Sequence, residues 1–148
     1  MARFTMRTGS VALTAASTKS LILLNPGSRE VTLTEFAVSF DGSAAAASVG
    51  LEIYRVLTLG SPAGTTGTAV LTSQGLPVAL SSGLTALTTE PTTVEVMKEW
   101  FLTPFGGTLH IQSPLGREVI NTTSRLGLRY ITPTGVSPNA RAFFEWEE

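Results

Sequence analysis

The 148-residue sequence contains no cysteine, and its one histidine is His110. The first absence removes thiol nucleophiles, disulfides and thiolate metal sites, and the second leaves a single imidazole for any acid–base role. Lysine is almost as scarce, with Lys19 and Lys98 alone, and ten basic against eleven acidic side chains give a formal charge of -1. Phosphate neutralisation needs clustered Lys and Arg, so no nucleic-acid partner is expected. Long apolar runs are missing too. The longest, Leu21 to Leu24, stops at Asn25-Pro26, far short of the roughly 18 residues that suggest a membrane helix. No apolar block follows Met1 to Arg7, so neither a membrane segment nor a signal peptide is expected, and the sequon at Asn121-Thr122-Thr123 is not read as a glycan site.

Charged residues make up 14% against a typical figure of about 25%, while hydrophobic residues reach 43%. Thr, Ser, Gly and Ala must therefore coat much of the surface, as they do in β-sheet proteins that lie against other protein surfaces. A chain of this length can bury roughly 70% of its unfolded surface, so it needs no disulfide or metal to hold one core.

Gly and Pro interrupt the chain at short intervals: Asn25-Pro26-Gly27, Asp41-Gly42, Gly60 to Gly67, Gly75, Gly83, Pro91, Pro104 to Gly107, Pro114 to Gly116 and Pro133 to Pro138. Between them lie runs of strand length. In Val31 to Phe40 the apolar parity switches between Leu33 and Phe36, as a bulge or burial on both faces would require. Leu51, Ile53 and Leu57 share one face of a half-buried strand, with Glu52, Tyr54 and Val56 opposite. Arg55 on the apolar parity implies an edge. Leu109 and Ile111 point inward with His110 outward; Leu126, Leu128 and Tyr130 share a face; Ala142, Phe144 and Trp146 oppose Arg141, Phe143, Glu145 and Glu147. With shorter runs near Phe4, Ser10, Ser20 and Ala69, the reading is an all-β antiparallel sandwich or jelly roll of about eight strands in a single domain, residues 1–148. One short helix is expected around 92–101, from the capping-box pattern Thr92 to Glu95 behind Pro91 and the spacing of Val96, Met97 and Trp100. The stretch Gly60 to Thr89 reads as long loops around one or two short strands.

Chemistry is short of parts. His110 has no Gly-x-Ser-x-Gly turn beside it. The acids are scattered, Asp41 is the one aspartate, and no Asp-x-Asp spacing exists. Gly64 to Gly67 lacks the Lys-Ser/Thr ending of a phosphate loop, and nothing selects a glycosidase pair from Glu52, Glu118 or Glu145. No catalytic residue, cofactor or metal is expected. The candidate functional residues are protein contacts: Phe143 beside the acidic tail, and the apolar cluster Trp100, Phe101 and Phe105.

The segment order resembles that of the jelly-roll head decoration (cement) proteins of tailed bacteriophages. The likeness is carried by Leu21 to Pro26, Glu30 to Gly42, Val49 to Arg55, Glu99-Trp100-Phe101, Pro114 to Val119, Arg125 to Arg129 and Phe144 to Glu148, which span most of the chain outside Gly60 to Thr89. The resemblance implies a non-enzymatic virion protein made in the host cytoplasm. It would sit on the outer capsid surface, assemble as a homotrimer and clamp the major capsid protein. Residues 1–7, with Arg3, Phe4 and Arg7, would then form an extended N-terminal arm that orders on binding. Two other functions fit the same pattern: a minor capsid, tail or fibre-associated component, or a carbohydrate-binding sandwich module using Tyr54, Tyr130, Phe143 or Trp100.

Overall fold

The computed structural model describes residues 2–41, 47–72, 78–105, 107–112 and 118–148. Met1 of the expected arm, Gly42, Gly75, Gly106 and the turn expected at Pro114 to Gly116 lie outside the described residues. Thirteen strands and no helix are present among them: β1 (Arg3–Arg7), β2 (Val11–Ala12), β3 (Ser17–Asn25), β4 (Val31–Phe40), β5 (Val49–Thr58), β6 (Ala63–Gly67), β7 (Val70–Leu71), β8 (Ser82–Thr89), β9 (Thr93–Leu102), β10 (Thr108–Gln112), β11 (Glu118–Ile120), β12 (Leu126–Thr132) and β13 (Asn139–Glu147). No helix is long and apolar enough to cross a membrane.

Two antiparallel sheets pack face to face. The first runs β10-β4-β13-β1-β7, with β11 also on β4 and β2 on β13; the second runs β6-β8-β3-β12-β5-β9. Leaving aside the short strands and the β6 to β8 excursion, the frame is β10-β4-β13-β1 against β3-β12-β5-β9. Along the frame the chain changes sheet at every step except from β5 to its neighbour β9, which is the order of an eight-stranded jelly roll, two Greek keys folded together. The alternation expected in β4, β12 and β13 accounts for the layer between them. Phe4, Met6, Phe36, Val38, Phe40, Phe144 and Trp146 from the first sheet meet Ile22, Leu24, Leu51, Ile53, Leu126, Leu128 and Tyr130 from the second, all buried.

Bulges explain where simple alternation breaks. Across β4 and β13, Glu35 pairs with Glu145 but Leu33 with Trp146, which leaves Thr34 as the extra residue. Val31 and Leu33 thereby reach the same inner face as Phe36, Val38 and Phe40, and all five are buried. On β9, Lys98 pairs with Ile53 and Val96 with Tyr54, so Met97 is the extra residue. The expected helix at 92–101 is therefore corrected to this strand. Its bulge produces the three- and four-residue spacing of Val96, Met97 and Trp100, and β-branched Thr93, Val94 and Val96 favour the ladder with β5. Leu57, expected inside, is the extra residue of a second bulge between Val56 and Thr58 and stays exposed.

Residues 3–7 do not form a free arm. β1 lies between β13 and β7, pairing Phe4 with Trp146 and with Leu71. Phe4 is 2% exposed and stacked near Trp146, with ring centroids 6.2 Å apart, so its place is in the core and not at an interface.

The stretch between β5 and β9 carries more structure than its composition suggested. β7 adds to β1 on one sheet, and β8 adds to β3 on the other with β6 outside it. Gly67 and Gly83 face Met6 so closely that a Cβ at either would strike its side chain, so glycine here lets the ribbon close over the sandwich edge. Ala86 takes a positive φ of 49°. Beyond this kink β8 leaves β3 and crosses the outer face of the second sheet. There Leu87 packs with Leu23 and Tyr54 in a small second core, and Thr92 N–H donates to Leu59 O at 3.3 Å. β5 is thus buried on both faces where a half-buried strand was expected.

Candidate functional site

Four features stand out. The first is a polar network beneath the β6/β8 ribbon. Gly127 on β12 pairs with Tyr54 on β5, and the Tyr54 ring lies across the glycine, where a methyl group would collide with it. The phenol reaches Ser20 Oγ on β3 at 2.8 Å; Ser20 N–H donates to Glu90 Oε1 at 2.8 Å, and Ser20 Oγ donates to Glu90 Oε2. Arg129 lies over the same ring, its guanidinium carbon 5.1 Å from the centroid, and its Nε donates to Glu52 Oε2 at 2.6 Å. Burial, outweighing the Ser20 hydrogen bond, raises the Tyr54 pKa above the ordinary phenol value. This network ties β3, β5, β12 and the ribbon together. Its hydrogen bonds are all spent between buried or half-buried groups of these four segments.

The second is His110, exposed on β10 as expected. Its Nε2–H donates to Glu35 Oε1 while Gln112 Nε2 donates to Glu35 Oε2 at 3.1 Å, and its ring lies 6.2 Å from that of Phe143. Among the described residues, no group of three or more His, Asp or Glu could hold a metal ion.

The third is a shallow depression of about 820 Å³ on the outer face of the first sheet. Strand register places His110, Ala37, Phe143 and Arg7 in one row across β10, β4, β13 and β1, with Gln112, Glu35, Glu145 and Thr5 in the next. Thr108, Ser39 and Arg141 flank the first row on its other side. Phe143 is half-buried in the middle, and Ala37 and Ser39 are small enough to leave space above β4.

The fourth is apolar. Loops at one end of the sandwich are joined by backbone bonds from Phe40 N to Gly107 O, Asp41 N to Asn139 O, Leu13 N to Pro138 O and Ala16 N to Pro133 O. The Asp41 carboxylate also accepts from Asn139 N and Nδ2, at 3.0 and 2.6 Å, and these bonds hold its pKa below the usual value. At this end Phe101 is 80% exposed and Phe105 75% exposed. Phe101 shares a row with Gly50 and Ile131 across β9, β5 and β12. The missing side chain at Gly50 leaves Ile131 and Phe101 as an uncovered apolar pair.

The expected contact residues thus separate. Trp100 and Phe101 do not form one cluster, because neighbours on a strand face opposite ways. Trp100 turns inward over Phe36, ring centroids 5.5 Å apart, while Phe101 points out. Phe143 and Arg7 meet in the depression. Arg3 is tied down, with Nε donating to Glu147 Oε1 at 2.9 Å and Glu145 3.6 Å away, and the Glu147 bond raises its pKa. Tyr54 and Tyr130 are buried and cannot meet a glycan. Sequence reasoning did not count Arg141 among the candidate contact residues and missed Ile131 as a surface feature. The outward parity of Arg141 with Phe143 was legible, whereas the adjacency of Ile131 to Phe101 depends on two strand pairings. The chain matches no protein-family model, no curated protein sequence and no solved structure.

Proposed function

We propose that the chain is a non-enzymatic capsid-decoration subunit of a tailed bacteriophage, acting as a homotrimer on the outer surface of the major-capsid-protein lattice. The observation that carries this reading is the exposure of Phe101, in one row with Ile131, and of Phe105 at the same end of a jelly-roll frame. Large exposed apolar side chains grouped on a low-charge surface suit a protein partner. The jelly-roll strand order is compatible with the resemblance in the sequence, although the same fold serves many functions. Each subunit would seat an apolar end on the lattice, and three linked copies would raise apparent affinity roughly 10²- to 10⁴-fold without any new contact.

The test mixes purified protein with empty mature capsids and, separately, with tail preparations. Saturable binding to capsids that survives moderate salt supports decoration, since apolar contacts are insensitive to screening. Binding only to tails, or a steep loss with salt, refutes it. Light scattering on the free protein checks the assembly: a mass near three times the 15.6 kDa chain supports the trimer, and a monomer mass withdraws it for the free protein.

A further inference from the structure

The depression on the outer face of the first sheet is charged at both ends. Along β13, Arg141, Phe143 and Glu145 share one face, a span of roughly 13 Å at about 3.3 Å per residue. Arg7 pairs with Phe143 in the register, so Arg7 and Arg141 are diagonal neighbours, with Thr108 and Ser39 beside Arg141. Among the described residues neither arginine has an ion-pair partner. Asp41, whose carboxylate is bonded to Asn139, senses Arg141 through charge alone. At the opposite end Glu35 is held by His110 and Gln112, and Glu145 lies 3.6 Å from Arg3.

We propose that this depression binds an acidic saccharide, with one carboxylate-bearing sugar held by Arg7 and Arg141, its ring against Phe143, and the hydroxyls of a neutral neighbouring sugar donating to Glu35 and Glu145. Guanidinium groups match a carboxylate by parallel charge-assisted bonds. An aromatic ring supplies an apolar platform for the C–H face of a sugar, and ionised carboxylates accept from hydroxyls. The two-ended charge selects the ligand class. A polyanion would meet repulsion from Glu35 and Glu145, and a neutral sugar would leave both arginines unused. An extended peptide gains most from adding to a free strand edge, whereas β4 and β13 are paired on both sides. The site lies on the first sheet and Phe101 and Ile131 on the second, so it stands or falls independently of capsid binding.

Sialyllactose, one acidic sugar on a neutral disaccharide, is the probe, titrated into the isotope-labelled full chain and followed by NMR. Lactose, a heparin tetrasaccharide and triglutamate are the comparisons. The expected result is saturable shifts at Arg7, Ser39, Arg141 and Phe143 with sialyllactose and none with lactose. Arg7→Gln and Arg141→Gln should each weaken binding about tenfold or more, the usual loss for a hydrogen bond to a charged group, with the melting temperature unchanged. Phe143→Leu should weaken it as well. No saturable shift with sialyllactose overturns the proposal, as do equal shifts with lactose or undiminished binding in both arginine variants. Tighter binding of heparin or triglutamate overturns it too, and assigns the face to polyanions or to acidic peptides.

Discussion

Gly127→Ala tests the account of the second core most directly. A Cβ at this position collides with the Tyr54 ring, which is fully buried under the ribbon. The ring cannot shift without leaving Ser20 and Arg129, so the substitution costs overpacking of about 1–3 kcal/mol plus about 1 kcal/mol for the weakened phenol hydrogen bond. A loss of about 2–4 kcal/mol corresponds to a drop of roughly 5–15 °C in Tm for a chain of this size. The control is Gly9→Ala, where nothing lies within 4 Å of the added Cβ, and a change within about 0.5 kcal/mol is expected. The double variant carries the decisive number. Tyr54→Ala alone should cost about 3–5 kcal/mol, as other buried aromatic truncations do. With the ring gone the alanine at 127 meets no obstacle, so Tyr54→Ala with Gly127→Ala should cost no more than Tyr54→Ala alone. The measurement is thermal and urea unfolding of all four proteins. A Gly127→Ala variant that melts with the wild type, or a double variant as unstable as the sum of the singles, refutes the packing of Tyr54 over Gly127.

The two tyrosines should answer differently to loss of the hydroxyl. Tyr54→Phe removes the bond to Ser20 and should lower stability by about 1 kcal/mol, while Tyr130→Phe removes a buried hydroxyl that has no partner among the described residues and should leave stability equal or higher; paired melting curves decide. Burial raises both phenol pKa values above the ordinary 10.0. Their contribution to stability is complete below pH 10 and is lost as pH rises above it, because the unfolded phenols ionise there and the folded ones do not. Phenolate absorbance should therefore appear together with loss of the folded circular dichroism signal, and ionisation that precedes unfolding contradicts the burial. Glu90→Gln weakens the tie between the ribbon and Ser20, so amides of 82–92 should exchange faster in hydrogen-exchange mass spectrometry while those of β12 and β13 hold their protection. Phe101→Ser and Phe105→Ser should leave Tm within about a degree or two, as exposed substitutions do. If capsid binding uses this end, each should weaken it more than tenfold, since burying a phenylalanine is worth about 1.5–3 kcal/mol.

The fold was legible wherever one rule governed a strand. In β12 and β13 a period of two runs unbroken through Leu126, Leu128 and Tyr130 and through Ala142, Phe144 and Trp146, and each of these is buried. The parity switch in β4 left a bulge or burial on both faces open, and the bulge at Thr34 is the one that occurs. The reading failed where a bulge imitated another period, as Met97 did inside β9, and where a face was covered by a segment distant in sequence. Nothing near Tyr54 reveals that Leu87 and Glu90 cover it. Of the candidate contact residues, Arg3, Arg7, Phe101, Phe105 and Phe143 reach the surface, and Phe4 and Trp100 turn inward. Phe4 was misplaced because a terminal run with two arginines reads as a tail, although its Phe4 and Met6 alternate as a strand pairing with the far end of the chain must.

The ribbon between β5 and β9 has a mechanical consequence. It is hydrogen-bonded to the first sheet through β7 and to the second through β8, on the same side of the sandwich. On the opposite side, β10 and β9 are the edge strands of the two sheets, and Trp100 packs on Phe36 between them. The two sheets are therefore bound like the covers of a book whose spine is the ribbon. Force that parts them at the spine must break the ladder of β7 with β1 or that of β8 with β3, whereas among the described residues the fore-edge shares no such ladder. The two flanks are thus closed by different means, one by shared backbone ladders and the other by the packing of Trp100 on Phe36.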